Sequence, residues 1–234
     1  MKLSIIIPLF NEENTIVKLL NVIEKQTKIE KQIIIINDCS NDKSLELLSN
    51  YKFLSENLIL NHQTNKGKGA CIKTAKKYIS GDIIVIQDAD LEYDPNDYYN
   101  LIKPILDKKT NVVYGSRVLG KQRYKNNNFT SLTRIFFNHF LTIISNLINN
   151  QNLTDAHTCY KLIRKSVFDQ INLIENDFSF CPEVTTKLSR MNEKIIEVPI
   201  SYIGRTYKEG KKIKYIDGIK AIFTLFNYRF IKKI

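Results

Sequence analysis

The stretch that decides the fold runs Asp82-Ile83-Ile84-Val85-Ile86-Gln87-Asp88-Ala89-Asp90-Leu91-Glu92. Its first part is an unbroken apolar run, which is typical of a strand that is covered on both faces of a parallel sheet. Its second part places two carboxylates one residue apart directly after that strand. Ligands of open α/β sheets bind beyond the carboxyl ends of the strands. The stretch therefore predicts an α/β fold with a polar site at this strand end.

Similar runs occur on both sides of this stretch. Candidate strands are Leu3–Ile7, Gln32–Ile36, Leu58–Asn61 and Val112–Tyr114, with a later strand at Ile195–Tyr202. Helical apolar spacing lies between them, from Ile16 to Ile23, over Gly69–Ile79 and over Pro95–Leu106. Strands that alternate with helices indicate β-α-β units and a mostly parallel sheet. Polar clusters follow the strands at corresponding positions, so we expect them to meet at one edge of the sheet.

The 234-residue chain carries a formal net charge of +11, with a pI near 9.3. A basic balance favours anionic partners such as phosphorylated substrates, anionic lipid or nucleic acid, although a bias of the genome towards Lys is an equal explanation. The lysines are scattered and not clustered with aromatic residues, which argues against nucleic acid. The four cysteines lack Cys-x-x-Cys spacing, which indicates neither a zinc site nor a disulfide framework.

Asp88 and Asp90 are candidate ligands of a divalent cation. Mg²⁺ and Mn²⁺ take oxygen ligands, commonly one or two carboxylates together with substrate phosphates. Glu92 alternates onto the same side and extends the set. The simpler alternative is an acidic turn that caps the following helix.

Two further clusters are candidates for nucleotide binding. Asp38 follows a strand and could accept hydrogen bonds from a base or ribose, or could form a local turn with Ser40 or Asn41. Lys66-Gly67-Lys68-Gly69 opens a predicted helix, whose free N–H groups and dipole favour an anion. It does not match a Walker motif.

Together these segments resemble family 2 glycosyltransferases, in particular the dolichyl- or polyprenyl-phosphate mannosyl- and glucosyltransferase branch. The matching motifs cover nearly the whole chain in order. They are Pro8-x-x-Asn11-Glu12, Asn37-Asp38-x-Ser40-x-Asp42, Asn65-x-Gly67-x-Gly69, Asp88-Ala89-Asp90, Gly115-Ser116-Arg117, Asp155 with Cys159-Tyr160-Lys161, Glu197-Val198-Pro199-Ile200, and Arg205 through Lys211. The resemblance implies a GT-A fold, a nucleotide-diphospho-sugar donor of the GDP-mannose or UDP-glucose type, and a lipid-phosphate acceptor.

The resemblance also implies roles for single residues. The nucleotide-sugar would be bordered by Pro8, Asn11, Glu12, Asp38, Lys68, Asp88, Arg205 and Lys211. Mg²⁺ or Mn²⁺ would be held by Asp88, Asp90 and Glu92, where relatives often have Gln at the third position. The acceptor phosphate would be bound by Arg117, Arg134 and Asn138, where relatives can have Ser at the last position. Arg205, with Lys211 or Lys212, would belong to a loop that clamps the donor phosphates.

The chemistry depends on the acceptor. A phosphate monoester has a second pKa near ~6 and arrives ionised, so it needs positioning more than a general base. We therefore expect single displacement with inversion, with Asp90 and Arg117 as catalytic residues. A saccharide hydroxyl would instead need a base, for which Asp155 is the first candidate, and a structural role for Asp155 is equally open. Alternatives are a family 2 transferase of envelope polysaccharide synthesis and, more distantly, a sugar nucleotidyltransferase.

Two apolar segments suggest contact with a membrane. We expect a glycosyltransferase domain over residues 1–210, with an amphipathic helix at 130–149, followed by a basic amphipathic helix at 211–234. Core burial is the simpler explanation for residues 130–149. No signal peptide and no apolar run of about 18 residues is evident, so we expect peripheral attachment to the cytoplasmic face. A membrane-embedded partner subunit is compatible with this.

Overall fold

The computed structural model describes residues 1–119, 132–205, 212 and 215–232, and only the main chain of residues 132–134 and 215. Its centre is a seven-stranded sheet in the order β3-β2-β1-β4-β6-β5-β7. The strands are β1 Lys2–Leu9, β2 Glu30–Asn37, β3 Glu56–Asn61, β4 Ile83–Ile86, β5 Val112–Ser116, β6 Lys161–Arg164 and β7 Ile195–Pro199.

The predicted parallel sheet is confirmed for the first four strands. β1 pairs in parallel with β2 on one side and with β4 on the other, and β2 pairs in parallel with β3. Ile5, Ile6 and Ile7 of β1 are fully buried, as are Ile33 and Ile34 of β2. Their near-continuous apolar sequence follows from this burial on both faces.

β6 is the strand that the sequence pattern did not reveal. It lies between β4 and β5 and is antiparallel to both, so β4 and β5 still point the same way. β7 adds in parallel to β5. The strand predicted at Ile195–Tyr202 therefore ends earlier, at Pro199, and Tyr202 makes an isolated bridge to Tyr93.

Helices flank the sheet between the strands. They are α1 Ile16–Glu24, α2 Ser44–Ser49, α3 Lys68–Lys76, α4 Tyr98–Leu106, α5 Leu132–Asn149, α6 Lys165–Phe168, α7 Phe180–Arg190 and α8 Tyr215–Phe226. A 3₁₀ turn, Pro95–Asp97, precedes α4, and Asp94 caps it by accepting a hydrogen bond from the Asn96 N–H. The helix predicted at Pro95–Leu106 thus begins as a 3₁₀ turn, because Pro95 fits the first turn and lacks the N–H that the interior needs.

α5, α7 and α8 pack against one another at one side of the molecule. A π-helical segment, Asn227–Ile231, continues α8. Of the helices that the structure describes, none is long and apolar enough to cross a bilayer.

Candidate active site

A cavity of about 470 Å³ opens at the carboxyl ends of β1, β2, β4 and β5. The polar clusters that follow β1, β2, β3 and β4 in the sequence meet there, as the sequence predicted. The described residues that line it are Pro8, Leu9, Phe10, Glu12, Asp38, Asn65, Gly67, Lys68, Cys71, Asp88, Ala89, Asp90, Glu92, Tyr93, Arg117, His157, Cys159, Phe178, Cys181, Arg205 and Lys212.

Asp88 and Asp90 lie together in the cavity wall directly after β4. Burial, and then the neighbouring charges of Asp88 and Glu92, raise the pKa of Asp90 to about 7. This shift means that the negative charge at Asp90 is poorly compensated by the protein alone. Oxygen ligands with uncompensated negative charge suit a hard divalent cation, so Asp88 and Asp90 fit the predicted metal.

Glu92 has a different role from the one predicted. Its Oε1 accepts a hydrogen bond from the Arg205 N–H at 2.8 Å, and its Oε2 accepts one from the Tyr202 hydroxyl at 2.9 Å. The carboxylate is 3% exposed. Its two oxygens therefore hold the chain after β7, and in this structure they are engaged by protein donors instead of being free for a metal.

Arg205 crosses the acidic end of the cavity. Its Nη1 and Nη2 each lie 2.9 Å from a Glu12 oxygen, and Nη2 lies 3.3 Å from Oδ2 of Asp90. Lys212 adds a second cation, with Nζ 2.6 Å from Glu12. Both cations thus contact carboxylates of the cavity. A bound diphosphate would compete with these carboxylates for the cations, and a bound metal would compete with Arg205 for Asp90. Lys211 lies outside the described residues.

Lys68, the first residue of α3, lies on the opposite side of the carboxylate pair. Its Nζ is 2.5 Å from Oδ1 of Asp88 and 3.2 Å from Sγ of Cys159. The ion pair places a cation beside one of the two carboxylates in the cavity lining. The nucleotide-sugar role of Lys68 stays a prediction.

Asp38 organises the start of α3. Its carboxylate accepts hydrogen bonds from the N–H groups of Lys66 and Gly67 at 2.9 and 2.7 Å, and it lies 2.7 Å from Nδ1 of His62. The Ala70 N–H donates to the Asn176 carbonyl. The predicted anion site at these free N–H groups is therefore wrong for these three donors, because the protein already uses them.

Gly67 and Gly69 have a steric role. Gly67 has φ of +94°, and a Cβ there would lie 2.6 Å from the carbonyl oxygen of Asn176. A Cβ on Gly69 would collide with the carbonyl oxygen of Glu175. The glycines allow the chain at residues 175–176, which leads to the cavity residue Phe178, to lie directly on α3.

Asp38, His62 and Cys71 bring three metal-ligand atoms within 4.8 Å of one another, although their spacing in the sequence gave no metal signal. The atoms are already engaged: His62 Nε2 contacts Thr74 and Nδ1 contacts Asp38. Burial and the Asp38 charge raise the pKa of the Cys71 thiol well above its usual range. The three side chains therefore form a satisfied hydrogen-bond network beside the cavity, and we do not assign a metal to them.

Asn11 was expected to border the nucleotide, but it is not among the described residues that line the cavity. Its Oδ1 accepts a hydrogen bond from the Asn41 N–H at 2.9 Å, and its own N–H donates to Ser40 Oγ at 3.0 Å. With φ of +50°, Asn11 joins the loops after β1 and β2. Pro8 does line the cavity.

Arg117 follows β5 and forms the other wall. Its Nε and Nη2 donate to Asp155 at 2.6 and 2.7 Å, and Nη2 also donates to Asn138 Oδ1 at 3.1 Å. The Tyr202 ring lies 5.1 Å from the guanidinium carbon. An arginine has five N–H donors. Among the described residues none accepts from Nη1, so its two N–H groups remain for a ligand.

Asp155 does not have the properties of a general base. It is fully buried, and although burial alone would raise its pKa, the Arg117 guanidinium lowers the pKa of Asp155 to about 2. Its main-chain N–H, like that of Thr154, donates to the Glu197 carboxylate. Asp155 is therefore a positioning residue for Arg117, which corrects its predicted catalytic role.

Asn138 shares this network, donating from Nδ2 to Asp155 at 3.3 Å. Residue 134 lies one helical turn earlier on α5, and residues four apart share a helix face. The side chain of Arg134 lies outside the described residues.

Several cavity residues carried no sequence signal. Tyr93, Phe178 and Cys181 lie outside both the polar strand-end clusters and the motifs of the resemblance. Phe178 comes just before α7 and Cys181 lies in its first turn, and no pattern in the sequence predicted this helix. Only spatial packing brings that helix to the cavity.

The mostly parallel sheet, with a paired-carboxylate site beyond β4, is that of a GT-A type glycosyltransferase. The family model for glycosyl transferase family 2 matches residues 4–171, and the chain belongs to that family. The resemblance drawn from the motifs is thereby confirmed.

Relatives with established names agree with this. The chain is 28% identical to a dolichyl-phosphate beta-glucosyltransferase of Trichomonas vaginalis, over 93% of this chain and 70% of the relative. It is 26% identical to a UDP-N-acetylglucosamine–dolichyl-phosphate N-acetylglucosaminyltransferase of Methanococcus voltae, over 94% and 93%. Its fold is similar to glucosyl-3-phosphoglycerate synthase of Mycobacterium tuberculosis, crystallised with Mn²⁺, UDP and phosphoglyceric acid, with a TM-score of 0.73, 15% identity, and 99% and 80% coverage.

Proposed function

We propose that this glycosyltransferase moves a hexose, of the glucose or mannose type, from a nucleotide-diphospho-sugar to a polyprenyl or dolichyl phosphate at a membrane surface. The two named relatives above act with dolichyl phosphate, which supports this acceptor class. The observation that carries the proposal is the position of Arg117. It lines the same cavity as the Asp88 and Asp90 carboxylates, and no acceptor in the described part of the chain uses the two N–H groups of its Nη1.

The donor side of the cavity has the charges that a nucleotide diphosphate requires. Asp88 and Asp90 would hold Mg²⁺ or Mn²⁺, which when bound neutralises the charge of the departing diphosphate. Lys68 and Arg205 stand on either side of the carboxylates and would contact the phosphates. Preorganised cations around the leaving group are the largest contribution that such a site can make to the rate.

The acceptor side suits a phosphate. An ionised phosphate monoester is its own nucleophile, so the site must hold and orient it. Arg117 is fixed by Asp155 and Asn138, and a guanidinium binds phosphate oxygens with two parallel hydrogen bonds. We propose Arg134 as the second guanidinium, because residue 134 lies one helical turn before Asn138 on α5. An acceptor phosphate held at Arg117 would attack the anomeric carbon of a sugar whose diphosphate is held near Asp88 and Asp90. Attack on the side opposite the diphosphate predicts a single displacement with inversion.

The outer face of α5 and α8 supports membrane attachment. The two helices pack side by side. Large apolar side chains on both are exposed, Phe136 by 65% and Phe223 by 66%. The other exposed ones are Phe137, Phe140, Ile143, Leu147, Ile216, Ile219, Phe226, Phe230 and Ile231. Lys220 and Arg229 lie on the same C-terminal element, which suits an anionic lipid surface.

Product formation separates the acceptors. Purified enzyme with labelled UDP-glucose, GDP-mannose or UDP-N-acetylglucosamine should glycosylate a polyprenyl phosphate in the presence of Mn²⁺, and EDTA should abolish the product. Parallel reactions contain a saccharide or 3-phosphoglycerate in place of the lipid. Transfer only to the saccharide hydroxyl or only to phosphoglycerate would refute the lipid acceptor. The anomeric configuration of the product, read by NMR against the donor, tests inversion.

A further inference from the structure

His157 lies in the cavity wall near Arg117 and has one ring nitrogen without a function in the network described above. Its Nε2 is buried and has no hydrogen-bond partner among the described residues. His157 is one of the residues that line the cavity, so its ring lies beside the space that a substrate would enter. A buried polar atom without a partner loses its hydration and receives nothing in exchange, which makes it a candidate for ligand contact.

The hydrogen-bond state of the ring follows from its other partner. A hydrogen bond to the main chain of Leu141 on α5 acts to raise the pKa of His157, as a carbonyl acceptor does, and because Nε2 has no partner we assign the ring proton to Nδ1. Burial, and then the positive charge of Lys161, lowers the pKa of His157 to about 4. Arg117 acts in the same direction, and Asp155 opposes it. The ring is therefore neutral at physiological pH, and Nε2 carries a lone pair that no described residue uses.

A lone pair needs a donor, and this requirement selects among the ligands of the proposed reaction. The diphosphate and an ionised acceptor phosphate offer only acceptor oxygens. The base is expected near Pro8 and Asp38, at the ends of β1 and β2, away from the Arg117 wall. The transferred sugar must lie between the diphosphate and the acceptor, and its hydroxyl groups are donors.

We infer that His157 accepts a hydrogen bond from a hydroxyl group of the transferred sugar and so helps to select the sugar. This inference rests on the proposed function. His157 is in this role a specificity residue that contacts the donor, with no part in proton transfer. Because Leu141 belongs to α5, the helix that also carries Asn138, the same element would orient the sugar contact and the acceptor arginine.

The test compares the binding of nucleotide and nucleotide-sugar by calorimetry with Mn²⁺ present. His157→Phe keeps an aromatic ring but removes the lone pair, and His157→Gln keeps an acceptor. His157→Phe should weaken the best nucleotide-sugar about tenfold and change the affinity for its nucleoside diphosphate less than about twofold. His157→Gln should keep both affinities within about threefold. Equal loss for both ligands, or loss for neither, would overturn the inference.

A series of deoxy-sugar nucleotides supplies a test that needs no variant. Wild-type enzyme should bind one deoxy analogue about tenfold more weakly, and this penalty should disappear in His157→Phe. Equal affinity of wild type for every analogue would refute the contact. If the wild-type enzyme binds no nucleotide-sugar, both the proposed function and the inference about His157 are refuted. Transfer to a saccharide hydroxyl would refute only the lipid acceptor and leave the binding comparison decisive for His157.

Discussion

Arg117 and Asp155 form a buried, two-pronged ion pair, with Nε 2.6 Å from Oδ2 and Nη2 2.7 Å from Oδ1. The Arg117 main-chain N–H also donates to Oδ2, at 3.1 Å. The pair fixes the guanidinium in one orientation, and among the described residues nothing accepts a hydrogen bond from Nη1. Because both oxygens of the carboxylate are committed to Arg117, Asp155 is not placed to act as a general base, which agrees with the ionised acceptor proposed above.

Asp155→Asn should damage acceptor use while sparing the donor. The amide keeps the shape of the side chain but loses the charge that orients Arg117, so we expect kcat/KM for polyprenyl phosphate to fall about 10- to 100-fold. The affinity for the nucleoside diphosphate should change less than about threefold. Arg117→Lys is the companion variant, since it keeps the charge but loses the fork. An equal loss of donor affinity would contradict the assigned role.

The same pair predicts a dependence of stability on pH. The pKa of Asp155 is about 2 in the folded protein against an ordinary value of 3.8, so its stabilisation is present above about pH 4 and is lost as pH falls towards 2. At neutral pH this corresponds to about 2 kcal/mol. Urea unfolding from pH 6 to pH 2 should show a steeper loss in wild type than in Asp155→Asn. Parallel curves would contradict this.

Asp90→Asn should remove metal-dependent donor binding. In wild type, a saturating nucleoside diphosphate with Mn²⁺ should raise Tm by about 5–10 °C. Asp90→Asn should lose most of this shift, because the carboxylate with the least compensated charge is gone. Asp107→Asn is the matched control, since Asp107 is a surface residue paired with Lys109. A full Tm shift in Asp90→Asn would rule out Asp90 as a ligand.

Gly69 and Gly218 form a matched pair of glycine positions in helices. Gly69→Ala should destabilise the protein by about 1–3 kcal/mol, since its methyl group meets the Glu175 carbonyl. Gly218→Ala should be neutral or stabilise by up to about 1 kcal/mol, because the nearest atom to its new Cβ would be Leu141 Cδ1 at 3.7 Å. Urea denaturation of both variants measures the difference. Equal effects would show that the contact with residues 175–176 is not tight.

The exposed apolar face predicts lipid binding. The double variant Phe136→Asp/Phe223→Asp should reduce partition into vesicles containing anionic lipid at least tenfold, because each change places a charge where the face meets acyl chains. Leu54→Asp is the control, since Leu54 is also highly exposed but belongs to neither helix. Co-sedimentation with phosphatidylglycerol vesicles measures the effect. Equal partition of both variants would contradict the assigned face.

The sequence predicted the part of the fold that depends on local pattern. The central stretches of parallel strands such as β1 and β2 are buried on both faces and therefore apolar, and the polar residues after such strands meet at one sheet edge, so Asp38 and Asp88 could be placed in one cavity. β6 escaped because four residues, Lys161–Arg164, are too few to show a period, and its antiparallel pairing depends on β4 and β5.

Within the site, the residues that belong to the cavity were easier to predict than the side-chain contacts that each of them makes. The Asp88–Asp90 pair was evident from its spacing alone. Whether Glu92 faces a metal or the chain after β7, and whether Asp155 is a base or the partner of Arg117, depends on contacts between residues far apart in the sequence. Spacing along the chain carries no information about such pairs.

Residues 175–177 pack against Gly67 and Gly69 at the start of α3, and they also contact α8 and the π-helical segment Asn227–Ile231. Tyr228 donates to Glu175 at 2.8 Å, and Lys220 lies 2.8 Å from Asp177. The C-terminal helix and its extension thus support the segment that leads to the cavity residue Phe178. If α8 rests on a lipid surface as proposed, these two side-chain contacts connect that surface to the segment that carries Phe178 into the cavity lining.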